Sequence, residues 1–182
     1  MTEVHAGRAL VTAEEFWRLC ADGHRRELVN GKVVPMSPVG GSHGDSVVRL
    51  LLSVATHVRA QDLGWVSTEV GFVLARNPDV VRGPDVAFVA RSRVPSPIPS
   101  TFVEMAPDLV VEVVSPGDTF TEVFEKVRED LEHGVREAWV VDGRSRRLFV
   151  QRDSEPMRVL GPDDVLTTDL LPGLSLRVSE VL

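Results

Sequence analysis

The sequence predicts a mixed α/β fold built on a central sheet, and three observations carry that prediction. Residues 109–114 (LVVEVV) are almost continuously apolar and β-branched, which is how a strand covered on both faces reads. After a Ser-Pro-Gly-Asp break at 115–118, Phe120, Val123, Phe124, Val127 and Leu131 recur at helical spacing. Gly134 ends that helix, and residues 138–141 resume an extended pattern. One residue does not belong. Glu112 stands in the middle of a core strand, where a carboxylate is costly unless it is paired, hydrogen-bonded or bound to a cation.

The other elements follow in order. Residues 1–11 read as a loose lead-in. Thr12 with Glu15 three positions later forms a capping box, so a short helix should run to about Ala21, with Asp22-Gly23 ending it. Residues 25–29 and 32–36 flank Asn30-Gly31, a two-residue hairpin signal. Residues 37–41 are a Pro/Gly loop. A long helix is predicted over 43–61, with Val47, Val48, Leu51, Val54, Ala55 and Val58 on its apolar side. Residues 65–74 read as one strand, 77–83 as a turn region and 86–90 as a strand opened by Pro84-Asp85. The proline-rich stretch 91–107 should be mostly loop, and short strands are predicted at 146–151, 157–160, 165–167 and 174–178.

With 182 residues, 43% hydrophobic and 26% charged, the chain suits one domain, 1–182, with a single sizeable core. No apolar run is long enough to span a bilayer, so the expected location is cytoplasmic, with no membrane partner. Cys20 is the only cysteine, which excludes an internal disulfide and argues against a cysteine-based zinc site. Its spacing with Phe16 and Leu19 reads as a packed thiol. A net charge of −7 argues against coating nucleic acid through global charge, yet suits a site crowded with carboxylates. No G-x-G-x-x-G after a strand, no Walker-type loop and no G-x-S-x-G elbow is present.

Two predicted strands each carry one acid among apolar neighbours, Asp85 at the start of PDVAFV and Glu112 within DLVVEVV. Adjacent strands would bring them to one end of a sheet, where two carboxylates repel unless a proton or a cation lies between them. Mg2+ prefers such oxygen ligands and keeps open water positions. Two plainer readings stand beside this one. Asp85 caps a turn after Pro84, and Glu112 belongs to a buried salt bridge.

A Pro-Asp pair on one strand followed by an acid within the next resembles the PD-(D/E)XK nuclease superfamily. The ordered set TAEEF, ELVNGKVVPMSP, His43, RGPDVAFV, PDLVVEVVSPGDT, GVREAWVVD and LPGLSL resembles the Uma-type restriction endonuclease family over nearly the whole chain. That resemblance implies a restriction endonuclease-like α/β fold, with a central mixed β-sheet flanked by helices behind an N-terminal helix and hairpin. It implies Mg2+- or Mn2+-dependent hydrolysis of DNA, and a homodimer, since cutting both strands calls for two active sites. Asp85 and Glu112 would hold the metal with Glu27 assisting, and His43 would hydrogen-bond a phosphate, a water or a carboxylate. The superfamily's acid-any-Lys motif reads Glu112-Val113-Val114 here, without its lysine, and the resemblance assigns that role to Lys126 on the following helix. Asp130 stands where the family often has tyrosine. The residues alone leave simpler alternatives. Lys126 makes i,i+4 ion pairs with Glu122 and Asp130. Glu27 is a solvated hairpin charge, His43 is a helix N-terminal residue without chemistry, and Arg82 touches phosphate or is an ordinary loop arginine. His5, His24, His57 and His133 read as surface residues. The functional alternatives are a non-catalytic binding module on the same fold and a metal-dependent hydrolase of small phosphoesters.

Overall fold

The computed structural model describes residues 10–115 and 117–182. The lead-in before residue 10, with His5, and Pro116 of the predicted strand break lie outside the described residues. The chain forms a mixed α/β fold with a central mixed sheet, as the sequence predicts.

The organising unit is β7 (Leu109–Val113), α3 (Phe120–Glu132) and β8 (Glu137–Asp142), with β7 and β8 parallel. The other pairs of this six-stranded sheet are antiparallel. On one side β8 is followed by β9 (Arg147–Gln151) and β10 (Arg158–Leu160). On the other, β7 is followed by β6 (Val86–Ala90) and β3 (Gly64–Ser67). All five β7 residues are buried, as its unbroken apolar run requires.

Alternation along β7 sorts the core into two layers. Leu109, Val111 and Val113 face the long helix α2 (Gly41–Ala60) and pack with Leu50, Val54 and Val58. Val110 points to the other face, where Val123, Val127 and Leu131 of α3 cover it together with Val140. Two positions after Val110, Glu112 therefore lies on the α3 face. The capping box of Thr119 and Glu122 fixes the start of α3.

A second, antiparallel sheet has the order β2 (Lys32–Pro35), β1 (Arg26–Val29), β5 (Val80–Arg82), β4 (Phe72–Ala75). Helix α1 (Ala13–Leu19) packs Ala13 and Phe16 on one face of it, against Leu28, Val73 and Val81. Phe72 on its other face meets Ala87 and Val89 of β6. The α3 face of the large sheet is thus shared between α3 and the small sheet, with a seam between them over β6 and β7. A two-stranded ribbon, β11 (Val165–Leu166) with β12 (Leu176–Arg177), closes the α2 side.

Four sequence expectations are corrected. The strand predicted over 65–74 is two strands, β3 and β4, in different sheets, broken at 68–71. The predicted turn at 77–83 contains β5, three residues long and paired with β1 and β4. Val48, expected on the apolar side of α2, is exposed, and Leu50 is buried instead. Phe120, expected in the α3 stripe, is half-exposed and meets Phe124 at a tilt and Phe149 edge-on. No described helix is long and apolar enough to cross a membrane.

Candidate active site

The seam gathers charge. Val86 pairs with Val111, so one step outward in this antiparallel register Asp85 stands opposite Glu112 on the same face. Val113 N–H donates to Asp85 Oδ2 at 2.8 Å, which locks the carboxylate to the end of β7. A carboxylate oxygen can only accept, so His43 Nε2 donates to Asp85 Oδ1 at 3.2 Å. The other ring nitrogen, Nδ1, lies 3.0 Å from Ser115 Oγ. His43 and Asp85 are both buried. The hydrogen bond to Asp85 raises the His43 pKa; burial works against that shift.

From α3, Lys126 reaches the same point. Its Nζ lies 2.8 Å from Glu27 Oε1 and 3.0 Å from Glu112 Oε1. The side chain is 14% exposed, and no ion pair to Glu122 or Asp130 forms among the described residues, so the helix-surface reading of Lys126 does not describe this structure. The contact with Glu112 lacks hydrogen-bond geometry and leaves Oε1 buried without a hydrogen bond. Glu27 is not a solvated hairpin charge either. It is buried on β1 and also accepts from Arg82 at 2.6 Å and from the Gly83 N–H at 3.2 Å. Arg82 bridges onward to Glu129, and its Nε lies 4.0 Å from Asp130 Oδ1.

Two cations, Lys126 and Arg82, are therefore shared among four acids: Glu27, Glu112, Glu129 and Asp130. They cannot neutralise all four. Burial pushes hardest on Glu27, but Lys126 and Arg82 overcome it and hold its pKa below the usual range. Burial dominates at Glu112 and raises it to about 8, with Lys126 opposing and Asp85 reinforcing. Burial likewise raises Asp130 to about 7. Lys126 stays charged, because the carboxylates outweigh the cost of its burial.

The sign for stability follows. Glu112 holds its proton more tightly in the folded state than in the unfolded one. Its contribution is therefore favourable at about pH 4.5 and below, and is lost as pH rises towards about 8. In EDTA, Glu112→Gln should match the wild type near pH 5 and exceed it by a few kcal/mol near pH 8. Urea melts at both pH values check this. A loss of about 3–5 kcal/mol at both would instead mark Glu112 as one half of a structural salt bridge.

The sequence does not disclose Arg82, Glu129 and Asp130 as members of the cluster. For Asp130 a signal exists, since it lies seven residues after Val123 and three after Val127, on the buried stripe of α3. Both its oxygens are buried without a hydrogen bond. Of the other described histidines, His24 is exposed, while half-buried His57 and His133 are tied to the backbone carbonyls of Pro172 and Glu129. Cys20 packs partly against the α1 core.

Among the described residues, no three His, Cys, Asp or Glu side chains form a ready metal cage. The chain does offer the Asp85 and Glu112 carboxylates on adjacent strands, with Lys126 Nζ 3.0 Å from Glu112 Oε1. Such a donor set suits a hard divalent cation completed by water or substrate oxygens.

This fold is of the restriction-endonuclease kind. Residues 13–179 match the Uma2 family, described as "Putative restriction endonuclease", and the chain belongs to that family. It also resembles the crystal structure of a putative nuclease belonging to DUF820 from Anabaena variabilis. The TM-score is 0.83 at 22% sequence identity, covering 94% of this chain and 97% of the other, a likeness of fold. The comparison with curated proteins gives no match.

Proposed function

We propose that this chain is a Mg2+- or Mn2+-dependent endonuclease that hydrolyses DNA phosphodiester bonds. The observation that carries the reading is the placement of Lys126 Nζ 3.0 Å from Glu112, on the strand face where Asp85 stands opposite. It restores from a helix the acid–lysine pair that Val114 cannot supply.

Asp85 and Glu112 are the residues that would hold the metal. When bound, the metal polarises the phosphate and lowers the pKa of its water. The remaining work belongs to the chain. The Val113 N–H and His43 fix the direction of Asp85. Lys126 presents a compact positive charge to the attacking water and to the charge developing on phosphate. Glu27, whose oxygens already serve Lys126, Arg82 and Gly83, acts by positioning Lys126 and not as an open ligand. Cleavage of both strands calls for two such sites, so the acting species in this proposal is a homodimer.

Calorimetry with Mn2+ tests the ligand set. Glu112→Ala should weaken binding by at least about tenfold, the scale at which even outer-shell partners act. Glu27→Gln should change it far less. Equal affinity for wild type and Glu112→Ala removes Glu112 from the site. A Glu27→Gln loss as large as that of Glu112→Ala makes Glu27 a ligand after all.

A further inference from the structure

Beside the acid–lysine cluster lies a second concavity of about 390 Å³, and the two share Glu27 and Gly83. Four aromatic side chains line it: Phe16 and Trp17 of α1, Trp65 of β3 and Phe102 from the proline-rich connection. Trp17 is 43% exposed and meets Phe102 edge-on, with ring centroids 5.0 Å apart and planes at 85°. Phe102 is backed by the buried ring of Phe16, stacked at 5.5 Å. A Cβ built at Gly71 would overlap the Phe102 ring, so the residue there must be glycine for the ring to lie where it does. Arg25 marks the border between the two sites. Its Nε pairs with Glu69 of the cleft at 2.8 Å, and its guanidinium reaches within 4.0 Å of Asp85.

We infer that this cleft receives an unpaired nucleobase of the DNA whose phosphate lies at Asp85 and Glu112, an inference that rests on the endonuclease reading. Three arguments select this occupant. The cleft adjoins the acid–lysine cluster through Glu27, which pairs with Lys126, and Arg25, which reaches Asp85, so a nucleotide with its phosphate at one has its base beside the other. Its lining includes aromatic rings, of which Trp17 is exposed to solvent, and aromatic faces bind any base by stacking. The chain carries a net charge of −7, which opposes DNA binding driven by phosphate charge alone and leaves stacking to supply affinity. A base inside a duplex stack cannot enter a concavity of this size. The strand must be single, or the base must be turned out of the helix. The preferred substrate class is therefore DNA with unpaired nucleotides, and Arg25 neutralises phosphate at the junction.

The test measures binding without chemistry. In EDTA, fluorescence anisotropy follows the intact wild type with a single-stranded oligonucleotide, the same strand fully paired, and the same strand with abasic sites. The intact single strand should bind about tenfold or more tightly than either control. Trp17→Ala, at a half-exposed position that should not disturb folding, should weaken the single strand by roughly 5- to 100-fold and leave the abasic strand unchanged. Trp17→Phe should recover part of the loss. Equal affinity for the single strand and the duplex, or an unaffected Trp17→Ala, overturns the inference. The endonuclease reading is separated by cleavage in Mn2+. If the wild type cuts DNA and Trp17→Ala binds and cuts as well as it does, the base site falls and the nuclease stands. If no strand binds and none is cut, both fall.

Discussion

Lys126→Ala should destabilise the metal-free protein by about 3 kcal/mol and slow DNA cleavage by about 100-fold or more. A lysine in surface i,i+4 pairs would cost under about 0.5 kcal/mol on removal. Here the ammonium is buried between Glu27 and Glu112, and its loss removes a cation that both share. The expected cost sits at the low end for a broken buried pair for two reasons. Arg82 remains on Glu27, and Glu112, already raised to about 8, can take up a proton. It follows that Lys126→Ala/Glu112→Gln should recover part of the lost stability, a non-additivity that a double-mutant cycle in urea and EDTA reads directly. Strict additivity would mean that the 3.0 Å contact carries no coupling.

Asp85→Asn should lower cleavage by about 100- to 1,000-fold, the loss of several kcal/mol of transition-state stabilisation expected when a metal-bearing carboxylate is neutralised. Its stability should stay within about 1 kcal/mol of wild type, because an amide oxygen can still accept from Val113 N–H. Asp85→Ala should be less stable by a further 1–3 kcal/mol or so, since that buried N–H then has no acceptor. Melting curves and rates on the same preparations separate the two effects. Full cleavage by Asp85→Asn would remove Asp85 from the chemistry.

Much of this architecture is legible in the sequence because it is local. The apolar run of β7, the helical period of α3, the capping box at Thr12 and the Asn30-Gly31 turn each depend on neighbours within a few residues. Strand β5 is not legible, since three residues carry no period and its partners are remote in sequence. The break between β3 and β4 is signalled only by Gly71, while the assignment of the two halves to different sheets is set by tertiary pairing. The site divides in the same way. Glu112 announces itself as an acid in an apolar strand, and Asp85 by its Pro-Asp strand start. Arg82 does not, because its partners Glu27 and Glu129 are 55 and 47 residues away. Lys126 stands on the border of the α3 stripe, and only the seam between α3 and the small sheet decides that it turns inward.

The most direct test is single-turnover cleavage of DNA in Mg2+ or Mn2+ by wild type, Lys126→Ala and Asp85→Asn, each checked for folding. The account predicts metal-dependent cutting by the wild type, abolished by EDTA, with both variants slower by about 100-fold or more. A folded wild type that binds metal but never cuts, or a Lys126→Ala protein that cuts as fast as wild type, would contradict it.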